Sequence, residues 1–245
     1  MKIFQWSLAT VFLALVSSWP AHAQQRAIYL DFGGTVGVTT SAFGNVWNNM
    51  TNSSSLTNLL DSTGTATPFS LFIASGAFGQ NGNTGAGGLM QPSQSLLGAL
   101  ATNSATGDYF FVSGTTLTFT LGSLDSSKTY NLTFFGTRET TESRSTRYTV
   151  SSAAGSQIAT LVTSGLGVGD GNYNGNNDTL ATFSGLSPIV VTNVSSSISF
   201  SVSPEISNFG YIGAMQIDVV PEPSTYALLF FSSAALAARF LRRRS

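Results

Sequence analysis

Over its second half the chain alternates apolar and hydroxyl-bearing residues with a period of two. Leu117, Phe119 and Leu121 alternate with Thr116, Thr118 and Thr120, and Ile198, Phe200 and Val202 with Ser197, Ser199 and Ser201. Tyr130, Leu132 and Phe134 alternate with Asn131 and Thr133. Between 211 and 219, Tyr211, Gly213, Met215, Ile217 and Val219 alternate with Ile212, Ala214, Gln216 and Asp218. Successive side chains of a strand point to opposite faces, so each segment has one face to bury and one to leave wet. Antiparallel sheets accommodate that division. Further strands are predicted at 148–150, 158–162 and 189–192, separated by Gly, Asn and Ser. This spacing predicts an all-β fold, an antiparallel two-sheet β-sandwich of jelly-roll type.

The first half is less regular. Residues 27–32 read as a strand stopped by Gly33-Gly34, and 69–73 as a second. Residues 44–67 are polar and loop-like around Trp47, and 76–88 form a Gly/Asn-rich loop. Ser93 to Leu100 follows Pro92 and places Leu96, Leu97 and Leu100 at helical spacing, with Ser93 as a candidate cap. It is the only helix expected between the two chain ends.

Both ends look like targeting segments. Lys2, the apolar stretch 8–16 and Ala21-His22-Ala23 make residues 1–23 a signal peptide with a signal peptidase site. At the other end, Pro221-Glu222-Pro223 precedes an apolar run from Tyr226 to Ala238 that extends through Phe240 and Leu241. The run approaches the length needed to cross a bilayer core as a single transmembrane helix. Arg239, Arg242, Arg243 and Arg244 would anchor it on the cytoplasmic side and leave the prolines outside. The chain thus divides into 1–23, an exported domain 24–219, and a tail 220–245.

The order Val220-Pro221-Glu222-Pro223, apolar helix, arginines resembles the PEP-CTERM sorting signal of Gram-negative bacteria. The resemblance implies processing by an exosortase, membrane insertion of the helix before processing, and association with exopolysaccharide. It also implies export through the inner membrane, leaving the mature domain periplasmic, on the outer surface or extracellular. An ordinary C-terminal anchor is the other reading of the tail. Within the domain, Asn45-Val46-Trp47-Asn48-Asn49, Asp61-Ser62-Thr63-Gly64, the run from Tyr130 through Gly136 to Arg138, Tyr148-Thr149-Val150 and Gly213 to Ile217 look like exported PEP-CTERM proteins of environmental bacteria. These are similar in outline to carbohydrate-binding and galactose-binding-like sandwiches.

Composition narrows the chemistry. Between 24 and 220 only Arg26, Lys128, Arg138, Arg144 and Arg147 are basic, against ten acidic residues, a net charge near −5. That balance argues against nucleic acid as a partner. The chain has no cysteine, and its one histidine, His22, lies in the signal peptide. Thiolate chemistry, Ser-His-Asp and Cys-His catalysis and histidine-ligated zinc or copper are therefore excluded from the mature domain.

Three groups remain as candidate sites. The run 138–147 holds Arg138, Glu139, Glu142, Arg144 and Arg147, either a glycan-binding loop of guanidinium forks and carboxylate acceptors or a solvated hairpin of weak ion pairs. Trp47, Tyr109 and Tyr173 are candidate sugar-stacking rings, with Trp47 expected to be exposed in its polar loop. Asp170, Asn172, Asn174 and Asp178 match the start of a calcium loop with Gly175 at its sixth position, although position twelve is Ala181 instead of a glutamate. No other cofactor is expected, and no catalytic residue is assigned. The reading is a non-catalytic, exported surface or matrix protein associated with exopolysaccharide. The alternatives are a carbohydrate-binding module and a carboxylate-dependent glycan hydrolase or lyase.

Overall fold

A computed structural model describes residues 27–33, 39, 41, 43–51, 55–81, 87–171, 174–192 and 195–220. The signal peptide, the Pro221-Glu222-Pro223 motif, the apolar tail and its arginines lie outside the described residues, as do Asn172 and Tyr173. No helix among the described residues is long and apolar enough to cross a membrane.

The first sheet has the order β11-β8-β15-β1-β2, formed by Ala181–Leu186, Thr129–Phe135, Ala214–Val220, Ile28–Phe32 and Trp47–Met50. The second has the order β10-β9-β13-β7-β4-β3, formed by Gly155–Ser164, Arg144–Ser152, Ser195–Ile206, Leu117–Gly122, Ser70–Ser75 and Ser55–Leu56; β12 (Ile189–Thr192) also pairs with β13. The expected alternation sets the register. Phe119 lies opposite Phe200 and Leu121 opposite Ile198, so their hydroxyl neighbours share the outer face. Ile217 and Met215 match Leu132 and Phe134 on one side and Ile28 and Leu30 on the other. Aromatic rings close the space between the sheets: Phe134 stacks on Tyr148 at 5.0 Å and meets Phe200 at 5.1 Å, and Phe32 meets Phe119 edge-on at 5.4 Å. The result is a β-sandwich, wider than the eight strands of a jelly roll.

Three features depart from the sequence reading. A third sheet, β14-β6-β5, joins Phe209–Ile212, Tyr109–Ser113 and Gly79–Asn81. The stretch 211–219 is therefore two strands: at Gly213 the chain leaves β6 and enters the first sheet, its N–H donating to Phe135 O and its carbonyl accepting from Phe32 N. A second short helix, α2 (Asn103–Thr106), follows α1 (Gln94–Leu97) and the 3₁₀ turn Gly98–Leu100. Together they cover the outer face of the first sheet, where Leu89, Leu97, Leu100 and Ala105 pack on Tyr29, Trp47, Phe135 and Ala214.

Trp47 belongs to that second core. It lies in β2, parallel to β1 and opposite Tyr29, with the two rings stacked at 5.1 Å. It is 3% exposed, so the expectation of an open stacking platform is corrected. The polar sequence around it misleads because the adjacent Asn48 bonds the backbone. Asn48 Nδ2 donates to Tyr29 O and Leu60 O, and Asn48 Oδ1 accepts from Leu60 N, so its amide replaces a missing strand pairing.

Packing also dictates Gly136, where β8 ends. A Cβ there would lie 2.6 Å from both Tyr148 Oη and Tyr211 O, the two ends of a buried hydrogen bond. Gly136→Ala is expected to lower stability by about 1–3 kcal/mol, as overpacked cores do. Chemical denaturation measures the change.

Candidate functional site

The third sheet packs one face on the main core and turns the other toward a cleft, in which Tyr109 and Tyr211 are each 2% exposed and Phe111 and Phe209 half-buried. Phe110, Val112 and Ile212 point into the main core. Tyr109, Phe111, Phe209 and Tyr211 alternate with them on the opposite face, where Tyr109 meets Tyr211 edge-on at 5.2 Å. Gly79 admits this arrangement, since a Cβ there would come within 2.3 Å of the Phe111 ring. Asn81, beside Tyr109 on β5, donates from Nδ2 to Tyr109 Oη at 2.9 Å.

Two arginines wall this aromatic floor. Arg138 follows β8 and donates to Tyr109 Oη at 2.5 Å, its guanidinium crossing so close over Gly87 that no Cβ fits there. Arg144 opens β9 and lies 4.5 Å above the Phe209 ring centroid, donating to Tyr211 Oη and, from Nε at 2.9 Å, to Glu142. Burial works against the Arg144 charge, but the bonds to Glu142 and Tyr211 outweigh it and raise its pKa. Burial likewise raises the Tyr211 phenol against the opposing pull of Arg144. The cleft has a volume of about 290 Å³ and is lined by Gln80, Asn81 and these six side chains, near the low end of small-molecule sites. It offers hydroxyl, amide and guanidinium groups beside flat apolar rings.

The structure divides the charged run that the sequence grouped together. Arg138 and Arg144 enter the cleft. Arg147 stands three residues along the strand, on the opposite face, and pairs with Glu205 at 2.6 Å. Glu142 touches the site only through Arg144. Glu139 packs by the loop carrying Gly175, with its carboxyl pKa raised by burial against the pull of Arg138. The expected hairpin loop is in part strand, since β9 starts at Arg144.

Of the proposed rings, Tyr109 lines the cleft, although it is only 2% exposed, and Trp47 does not. Phe111, Phe209 and Tyr211 were not singled out from the sequence. Tyr109-Phe110-Phe111-Val112 is a continuous apolar run with no alternation, so nothing in it marks the two outward rings.

In the candidate calcium loop, Asp170 Oδ2 accepts from Asn177 Nδ2 at 3.1 Å, Asn174 is exposed and Asp178 half-buried. Its neighbours are structural: Asn176 Nδ2 donates to Gly136 O and Thr179 O, and Asn177 Oδ1 accepts from Ser93 N.

No family model and no curated protein matches the sequence. Among solved structures, the carbohydrate-binding module TmCBM61 in complex with β-1,4-galactotriose is similar at a TM-score of 0.30 and 12% identity, over 62% of this chain and 88% of that one. The exo-β-1,3-galactanase of Phanerochaete chrysosporium with galactose is similar at 0.28 and 10%, over 60% of this chain but only 32% of the enzyme. A family 11 carbohydrate-binding module of the Clostridium thermocellum cellulase Lic26A-Cel5E is similar at 0.22 and 10%, over 61% and 84%. At these scores none of them assigns a fold or a ligand to this chain.

Proposed function

We infer that this protein is a non-catalytic glycan-binding protein and that the cleft on the third sheet receives a sugar residue of a polysaccharide. One observation carries the reading: a single concave face combines the half-buried rings of Phe111 and Phe209, seated on the buried Tyr109 and Tyr211, with two guanidiniums and two carboxamides. A pyranose has just this duality, an apolar C–H face for a ring and hydroxyls at its edge for planar donors and acceptors. Glu142, the carboxylate next to the cleft, is held by Arg144, which favours binding over acid/base chemistry. Export and sorting complete the proposal. The signal-like residues 1–23, Pro221-Glu222-Pro223 and the terminal arginines support passage through signal peptidase and exosortase, and an exopolysaccharide as the glycan encountered.

Affinity electrophoresis of the purified protein against a panel of soluble polysaccharides tests the binding. At least one glycan is expected to retard the wild type, and Phe209→Ala to weaken that retardation tenfold or more. Phe209 is half-buried at the cleft edge, so its loss should leave the fold intact. Retardation by no glycan, or an unchanged affinity in Phe209→Ala, would refute the assignment.

A further inference from the structure

Beneath α2, two carboxylates are buried together. Asp31 of β1 and Asp108, just before β6, are each 4% exposed and lie within hydrogen-bonding reach of one another. Asp31 Oδ2 accepts from the Thr39 hydroxyl. Among the described residues, Asp31 Oδ1 and Asp108 Oδ1 are buried and have no hydrogen-bond partner. The close approach is built into the backbone: a Cβ on Gly33 would sit 2.9 Å from Asp108 Cγ and 2.5 Å from Tyr109 N. Asn49 lies beside Asp31 in register on β2, adding an amide to the same face. On the segment leading into Asp108, the Thr102 and Ser104 hydroxyls are also buried, with no partner among the described residues.

An arrangement of this kind is costly without a counter-charge. Two carboxylates removed from water repel each other and lose hydration that the protein replaces only in part. Among the described residues, Arg144 pairs with Glu142 and Arg147 with Glu205. A proton shared between the two would relieve the repulsion but leaves two oxygens bare at neutral pH.

We propose that Asp31 and Asp108 are the anchoring ligands of a divalent cation, calcium in preference to magnesium, bound between β1 and α2. All the donors are hard oxygens, and they are spread over a strand, a turn and a loop. This irregular set suits the larger, more tolerant coordination sphere of calcium better than the strict octahedron of magnesium. The site is separate from the loop at 170–178 and independent of the glycan reading.

Thermal unfolding of the purified protein, first in EDTA and then with calcium chloride or magnesium chloride, tests the proposal. Calcium at a hundredfold excess over its Kd is expected to raise Tm by about 5 °C or more, and magnesium by less. Asp108→Asn should abolish the rise yet melt in EDTA no lower than the wild type, because it removes the repulsion with little change of shape. Asp170→Asn should keep the rise. Equal Tm in EDTA and calcium would overturn the proposal, as would a rise that survives Asp108→Asn or disappears in Asp170→Asn.

Discussion

Trp47→Ala is expected to cost about 3–5 kcal/mol of stability and to leave the glycan affinity of the remaining folded protein unchanged. The indole is 3% exposed and stacked on Tyr29, and it belongs to the cluster that seats the helical segment 94–106 on the first sheet. Removing it opens a cavity where β2, a two-sided edge strand, meets its cover. Relaxation is limited because Tyr29 is held by β15 on one side and β2 on the other. Denaturant titration gives the stability change, and binding measured well below the transition gives the affinity. The two readouts separate a core tryptophan from a sugar platform, which would lose affinity while keeping its stability.

Arg144→Ala should do the reverse, weakening glycan binding by roughly 10–100-fold, the usual loss for a charged hydrogen-bonding group of about 1.5–3 kcal/mol. Its guanidinium holds Tyr211 and caps the Phe209 ring, so it positions two rings as well as donating to the ligand. Arg144→Lys should recover little of the loss, because an ammonium cannot lie flat over Phe209 while bonding Tyr211 and Glu142 together. Isothermal titration calorimetry with the best-retained polysaccharide measures both variants. Arg147→Ala is the internal control: its pairing with Glu205 lies on the other face of β9, so affinity should not move.

The central sandwich was legible because its strands are simple. Residues such as Phe119 and Phe200 need one dry face, and the intervening threonines and serines need one wet one, so their alternation decides which way each side chain turns. Legibility fails where a strand is covered on both sides. β1 is buried along its whole length, so Asp31 inside it gives no periodic sign of its partner Asp108, seventy-seven residues on. Trp47 was misplaced for the same reason, because its cover comes from distant residues and its polar neighbour Asn48 serves the backbone. The cleft was half visible. Its arginines stood out as charges in a sequence with few of them, but the strand that begins at Arg144 makes Arg144 and Arg147, three residues apart, face opposite sides. Its rings come from β6 and β14, and neither segment reads as an exposed surface. A break at Gly213 turns one apparent strand into two and delivers Tyr211 to the site.

The cleft itself is tested most directly by nuclear magnetic resonance, following the aromatic and arginine side-chain signals as a retained oligosaccharide is titrated in. The expected result is saturable shifts at Tyr109, Phe111, Phe209, Tyr211 and the guanidinium protons of Arg138 and Arg144, with Trp47 silent. Shifts confined to other surfaces, such as the exposed apolar residues Ile158, Val162 and Val190, or shifts led by Trp47, would contradict it.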